Sequence, residues 1–260
     1  MEALRQLNEP STTKILFLDI ETAPNVAYVW GLFDQNIAHN QVETSSYILC
    51  WSAQWHGQST MMFDSVHKHS RAHMLKRIHG LLDLADIVVH YNGSKFDIPT
   101  LNKEFVKHRF KPPSPYKQID MLSVCRRMFR FESNKLASVV KSLDLSRKIE
   151  DHGFKLWVDC MKGKRAAWRD MERYNRNDVK ILRQVYHRLL PWITKHPLLL
   201  TAAQQFGLRC PKCGSAHLQS RGSFFTRQAQ HAQYQCRDCG GWFRSNRVLK
   251  KFKHEHGINI

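Results

Sequence analysis

Acidic residues are scarce in this chain of 260: 22 Asp and Glu stand against 40 Lys and Arg, a net charge of +18. Such an imbalance disfavours basic partners and favours a polyanion, with nucleic acid the first candidate. Long apolar runs are missing too. No stretch approaches the roughly 18 apolar residues of a bilayer-spanning helix, and MEALRQLNEPSTTK has no signal-peptide core. There is no long amphipathic basic helix to lie on an anionic membrane. The expectation is a soluble, intracellular, cytoplasmic protein with no membrane partner. Cysteine is sparse over most of the length: Cys50, Cys125 and Cys160 are scattered, and the other four of the seven cluster near the end. An odd total so arranged excludes a disulfide scaffold and reads the scattered three as buried thiols. Internal repeats and long low-complexity tracts are absent. What remains, 42% hydrophobic residues in 30.5 kDa, suffices for one full domain and a small second one.

The first apolar run is KILFLDIETAP, closed by Pro24. With no helical period and a breaker at its end, it predicts a buried strand of an α/β sheet. Alternate strand residues share a face, so Asp19 and Glu21 point the same way, about 7 Å apart at a rise of about 3.3 Å per residue. Two like charges in a partly dry place disfavour each other unless a cation compensates, and hard oxygen ligands suit Mg²⁺ or Mn²⁺. Capping of the strand end in water is the plainer alternative. Downstream, YVWGLFDQ and SYILCWSAQWHG read as further strands. Helical spacing runs from His67 to Leu84, ADIVVHYNG is a second buried strand, and Asp97-Ile98-Pro99 opens a helix. IDMLSVCRRMF reads as a short strand followed by a helix. SNKLASVVKSL reads as a helix capped by Ser133 or Asn134, and a longer helix covers about Ala166 to Leu190. Strands alternating with helices predict an α/β domain with a mixed sheet.

Two more acidic stretches stand out. Asn92-Gly93 turns the chain after a strand and delivers Phe96 and Asp97 to a helix start, where Asp97 is either an N-cap or part of a site at the strand ends. YNRNDVKIL places Tyr174 and Asp178 four apart on a helix, one turn from each other on one face. The spacing Y-x-x-x-D also occurs at Tyr116 and Asp120 and at Tyr234 and Asp238, but neither of those stretches reads as helical. Alone, the Tyr174 pair is equally a surface aspartate beside a core tyrosine.

Together and in this order, D-x-E, N-x-x-x-F-D and Y-x-x-x-D resemble the DEDD superfamily of 3′→5′ exonucleases, in its tyrosine-bearing branch. The similarity is to proofreading domains of family B DNA polymerases and the stand-alone nucleases related to them, over about residues 14–190. The resemblance implies a ribonuclease H-like fold, a mixed sheet flanked by helices. It implies two Mg²⁺ or Mn²⁺ ions held by Asp19, Glu21, Asp97 and Asp178, with Tyr174 as the catalytic tyrosine. It further implies that Asn92 and Phe96 line a single-strand groove and that the Thr22 backbone meets the terminal nucleotide. Two cations about 4 Å apart address both ends of an in-line displacement at a phosphodiester. An ordinary phenol titrates near 10, so Tyr174 is assigned to orienting water rather than to acting as a free base.

Cys210-Pro-Lys-Cys213-Gly and Cys236-Arg-Asp-Cys239-Gly are C-x-x-C-G knuckles 22 residues apart. Four thiolates so spaced predict one structural Zn²⁺ in a closed tetrahedral site with a small hairpin between the knuckles. The ribbon resembles those attached to some transposases and other DNA-handling proteins. Residues 206–260 hold ten Lys and Arg against Asp238 and Glu255. Arg221, Arg227, Arg244, Arg247, Lys250, Lys251 and Lys253 are candidate phosphate partners, and Trp242 or Phe243 could stack on bases, unless these aromatics form the ribbon's own core. His69 and His73 are four apart, but the sequence offers them no third ligand, and a solvated helix face is the reading.

The expected organisation is an N-terminal tail at 1–13, a ribonuclease H-like exonuclease domain at 14–195, a linker at 196–208, and a zinc ribbon with a basic tail at 209–260. The expected function is metal-dependent hydrolysis at single-stranded 3′ ends, DNA favoured over RNA, with the ribbon aiding binding. A polymerase or another replication or repair protein is the implied protein partner, since the chain is too short to hold a polymerase domain. A 3′→5′ exoribonuclease, an endonuclease on the same fold, and a nucleic-acid-binding or recruiting protein using that fold as scaffold are the alternatives.

Overall fold

The computed structural model describes residues 13–145, 153–197 and 207–252. The expected N-terminal tail up to residue 12, most of the expected linker, and Lys253 with the rest of the basic tail lie outside the described residues. The chain divides into two compact units, Lys14–His187 and a second one that takes in the chain from Arg188 onward.

The first unit is built on a five-stranded sheet. β1 (Ile15–Thr22) lies at its centre, between β4 (Ile48–Trp55) and β6 (Ile87–His90), with β5 (Met62–Ser65) and β7 (Lys117–Asp120) at the edges. β1 runs antiparallel to β4 and parallel to β6, so the sheet is mixed, as expected. Alternation along β1 sends Leu16, Leu18 and Ile20 to one core. There they pack against Met74, Leu75, Ile78 and Leu82 of α1 (Arg71–Leu84), and against Ile98, Leu101 and Phe105 of α2 (Asp97–Lys107). On the other face, Leu156 and Cys160 of α5 (Lys155–Met161) join Trp168, Met171 and Tyr174 of α6 (Arg165–Leu189). Phe17 meets the Tyr186 ring edge-on at 5.2 Å. Between these helices, α3 (Met121–Met128) follows β7 and α4 (Leu136–Ser142) comes next.

The β1–β4 register slips between Glu21 and Thr22, which pair with Cys50 and Ile48. Leu49 is the extra residue of this bulge. A bulge re-aims side chains where pairing ends. Here Leu49 and Cys50 both enter the second core, and Ile48 rejoins the first.

Several expected elements are corrected. YVWGLFDQ is not a strand. Only β2 (Val26–Ala27) pairs, with β3 (Val42–Thr44), while Trp30, Leu32 and Phe33 are almost fully exposed and find no face to bury. The helix read from His67 begins at Arg71, because Ser70 accepts from the His73 amide as its N-cap and leaves His69 in the preceding turn. Helix α4 starts at Leu136 after Lys135, and Ser133 caps only the Lys135 amide. Asp97 is the first helical residue rather than the N-cap, which is Phe96. IDMLSVCRRMF is, as read, the end of a strand, β7, followed by a helix, α3. Cys50, Cys125 and Cys160 are buried thiols, as read.

The second unit holds a three-stranded antiparallel sheet with β9 (Ala229–Cys236) between β8 (Leu218–Phe225) and β10 (Trp242–Lys251). The expected hairpin thus gains a third strand. Gly214 and Gly240 follow the two knuckles with φ of 76° and 74°, a conformation glycine adopts without cost, and their amides donate to the carbonyls of Cys210 and Cys236.

Leu18 is wholly buried between β1 and α1–α2. Leu18→Ala is expected to cost about 3 kcal/mol in urea unfolding. Leu32→Ala, at an exposed loop position, is expected to stay within about 0.5 kcal/mol.

Candidate active site and metal centres

Strand β1 supplies two carboxylates to the face covered by α6. Asp19, Glu21 and Asp178 each bring an oxygen within 4.8 Å of the others, although Asp178 comes from more than 150 residues downstream. Neutral donors aim two of these groups. Asn175 Nδ2, on α6 and fully buried, donates to Asp19 Oδ2 at 2.7 Å, and Trp157 Nε1 of α5 donates to Glu21 Oε2 at 3.0 Å. Tyr174, one turn before Asp178, is nearly buried and meets the Trp157 ring edge-on at 5.8 Å. The field of the acids is felt next door: burial, then Glu21 and Asp19, push the Cys50 thiol well above its usual range.

Asp97 takes a different position. The β1–β6 ladder is paired only through Phe17 and Val89, so β1 outlasts its neighbour and its next amides need other acceptors. Asp97 Oδ1 accepts the Ile20 amide at 3.1 Å, across 77 residues. Its carboxylate is therefore fixed on the backbone between the two acids of β1, while standing outside the 4.8 Å triplet. Burial, with a smaller contribution from Asp120, pushes its pKa up to about 7 despite the Ile20 bond.

The turn carrying Asn92 and Phe96 is organised by Asp120, which in the sequence stands out only as a repeat of the tyrosine spacing. Its carboxylate accepts the amides of Asn92 at 2.9 Å and Leu122 at 3.0 Å. Asn92 adopts a φ of 67°, which Asn tolerates better than most residues. Gly93 is required, since a Cβ there would sit 2.4 Å from the His90 ring. His90 is neutral: burial lowers its pKa, Nδ1 accepts from Gly93, and Nε2 is left to donate to Gln118. Phe96 remains about half exposed. Thr22, the last residue of β1, lines a pocket of about 500 Å³ with Asn25, Ser46, Phe154 and Trp157.

Asn175 and Trp157 were missed from the sequence. Asn175 carried one signal, a polar residue directly after Tyr174 on a helix that buries that face. Trp157 carried none, because its helix is only seven residues long and too short to show a period.

Two other clusters occur among the described residues. Cys210, Cys213, Cys236 and Cys239 bring their sulfurs together, with Cys210–Cys239 at 3.7 Å and Cys213–Cys236 at 3.6 Å. A tetrahedron with metal–sulfur bonds of about 2.3 Å has edges of about 3.8 Å, so the four sulfurs fit a Cys₄ metal site. Asp64, His69 and His73 form the third group, and Asp64 is the partner for the histidines that the sequence did not reveal. Arg77 already binds Asp64 Oδ2 at 2.7 Å and His69 binds Oδ1 at 2.7 Å. Burial works to raise the Asp64 pKa, and these bonds with the Ser65 amide outweigh it and hold the carboxyl below its usual value. A carboxylate so satisfied is an anchor for the start of α1.

Among the described residues, no helix is long and apolar enough to cross a membrane. The family model described as the RNase_H superfamily matches residues 16–190. No curated protein matches the chain. Among solved structures, the chain is similar to the family B DNA polymerase of the hyperthermophilic archaeon Pyrobaculum calidifontis, with a TM-score of 0.53 and 12% identity. That similarity covers 70% of this chain and only 25% of the polymerase, and it shows the fold. The family match spans more than half of the sequence, and the chain belongs to the RNase_H superfamily.

The raised Asp97 pKa gives a pH signature in chelator. The native state keeps a proton that the unfolded chain releases near pH 4, so this residue's contribution to stability falls from about pH 4 to about pH 7 and is level above. Asp97→Asn removes that fall. In urea melts with EDTA, the variant is expected to match its parent at pH 4 and exceed it at pH 8, by up to about 4 kcal/mol.

Proposed function

We propose that this member of the RNase_H superfamily is a metal-dependent 3′→5′ exonuclease acting on single-stranded nucleic acid, with DNA favoured over RNA. The observation that carries the reading is the meeting of Asp19 and Glu21 from a central strand with Asp178 from a distant helix, one turn after Tyr174. Gathering three carboxylates in a half-buried place is unfavourable unless a cation joins them. Two divalent ions held by Asp19, Glu21, Asp97 and Asp178, Mg²⁺ or Mn²⁺ given the oxygen ligands, would acidify a water and neutralise the departing 3′-oxygen.

The chain's own groups prepare this. Asn175 holds Asp19 in one rotamer and Trp157 does the same for Glu21. Asp97 is braced by the Ile20 amide. Tyr174 orients the attacking water through its hydroxyl. The pocket beside Glu21 has the size for a terminal nucleotide: Thr22 borders it, and the exposed Phe154 ring offers a stacking face. Asn92 and Phe96 line the groove for the preceding nucleotides. The similarity to a DNA polymerase supports DNA as substrate and a polymerase as the partner served in trans.

The ribbon holds one structural Zn²⁺ on its four cysteines and adds affinity for nucleic acid. Arg221 lies over the Trp242 ring at 5.9 Å and Arg244 over Phe224 at 5.1 Å, with both rings substantially exposed. A cation beside an exposed ring can meet a phosphate and a base together. Tyr234 and Phe243 instead stack on each other at 5.7 Å within the sheet.

A time course on 5′-labelled single-stranded DNA with Mg²⁺ tests the main reading. Stepwise shortening of the labelled strand from its 3′ end is expected, lost on Asp19→Ala. Tyr174→Phe is expected to slow turnover at least about 100-fold while single-strand affinity stays within about twofold. Affinity falling as far as rate would remove the water-orienting role. Equal activity on closed circles would instead favour an endonuclease, and faster loss of matched RNA an exoribonuclease.

Mass spectrometry is expected to find one zinc per chain, absent in Cys236→Ser. In hydrogen exchange, that variant is expected to lose protection in β8–β10 while β1 and β4 keep theirs.

A further inference from the structure

A cleft of about 580 Å³ runs along the flank of α6 that faces away from the acids. Arg173, Arg176, Lys180 and Arg183 line its helix side, and Gln54 and Ser59 line the side toward β4 and the turn after it. Their spacing of three and four residues keeps the cations on one flank, at steps of about 4.5 to 6 Å along about 15 Å of axis.

No carboxylate lines this cleft among the described residues. Arg173 pairs with Asp170, and Arg176 shares Glu172 with Lys68. Lys180 and Arg183 form no ion pair with an acid among the described residues. Burial, and then Arg183, lower the pKa of His56, so the charge of this arginine is felt rather than cancelled. Four cations in one trough repel each other, and an anion lying in it relieves that repulsion.

A row of cations this long suits a linear polyanion better than one phosphate. Arg173 and Asn177 also directly adjoin Tyr174 and Asp178 in sequence, so the cleft and the acidic centre are two flanks of one helix. We propose that the cleft holds the phosphodiester backbone of a polynucleotide, as a second anchoring site for a segment remote from the end being hydrolysed. The choice of polynucleotide rests on the nuclease reading, and the trough itself does not.

The test measures binding of a labelled 30-nucleotide single strand to the full chain, without divalent cations, across a KCl series. Lys180→Glu with Arg183→Glu is expected to weaken binding about tenfold at 100 mM. It should also flatten the slope of log affinity against log salt by about 1.4, the value for two lost phosphate contacts on a single strand. The gentler pair Lys180→Ala with Arg183→Ala is expected to flatten the slope in the same direction with an unchanged melting temperature. Equal charge reversal at Lys76 and Lys107, on the helices across the sheet, is expected to leave the slope in place. An unchanged slope in the cleft variants, or equal flattening by the control pair, would overturn the proposal. With Mg²⁺, hydrolysis of a dinucleotide should stay within twofold in the cleft variants, and a loss there matching that on the long strand would also overturn it. Should the parent hydrolyse nothing, the nuclease reading fails while the slope comparison still decides the cleft.

Discussion

The arrangement of the larger unit depends on an electrostatic constraint: carboxylates of like charge are gathered where water is partly excluded. Their repulsion must be offset. Asn175 donates to Asp19 and Trp157 to Glu21, neutral hydrogen bonds that fix direction without adding charge. A lysine or arginine at either place would satisfy the acids and take the position a metal needs. The contrast is Asp64, where Arg77 and His69 complete the carboxylate and leave it an anchor.

A second constraint is the unequal length of neighbouring strands. β1 continues past the last residue that β6 pairs with, and the freed Ile20 amide selects Asp97 as its acceptor. One hydrogen bond thereby ties the start of α2 to the acid-bearing end of β1. On the opposite edge, the bulge at Leu49 ends regular pairing between Glu21 and Thr22. The acid-bearing end of the central strand is thus bounded by an amide that finds its acceptor outside the sheet on one side and a bulge on the other, which leaves room for groups from α2 and α6.

The carboxylates of Asp19, Glu21, Asp97 and Asp178 come from β1, α2 and α6, while Arg173, Arg176, Lys180 and Arg183 line another flank of α6. The trough on α6 and the Arg–aromatic pairs of the ribbon each combine positive charge with a surface that has shape. The long-range attraction of a net charge of +18 acts on any polyanion, and contact geometry decides where it rests.

The sequence determined much of this by local physics. An apolar run ending in Pro24 reads as a buried strand, alternation put Asp19 and Glu21 on one face, and helical spacing set Tyr174 one turn from Asp178. Two C-x-x-C-G knuckles likewise declared the cysteine cluster, because thiol spacing and the glycine turn are local properties. It could not show that Asp97 would bind a strand amide 77 residues away, nor that Trp157 and Asn175 would aim the acids, nor that Asp64 would complete the His69–His73 group. It also misread Tyr28–Gln35 as a strand, since apolar composition cannot say whether a partner face exists to bury it. Each of these depends on which unpaired amide, buried carboxylate or open face the packed sheet leaves behind, and such remainders exist only once the chain has folded.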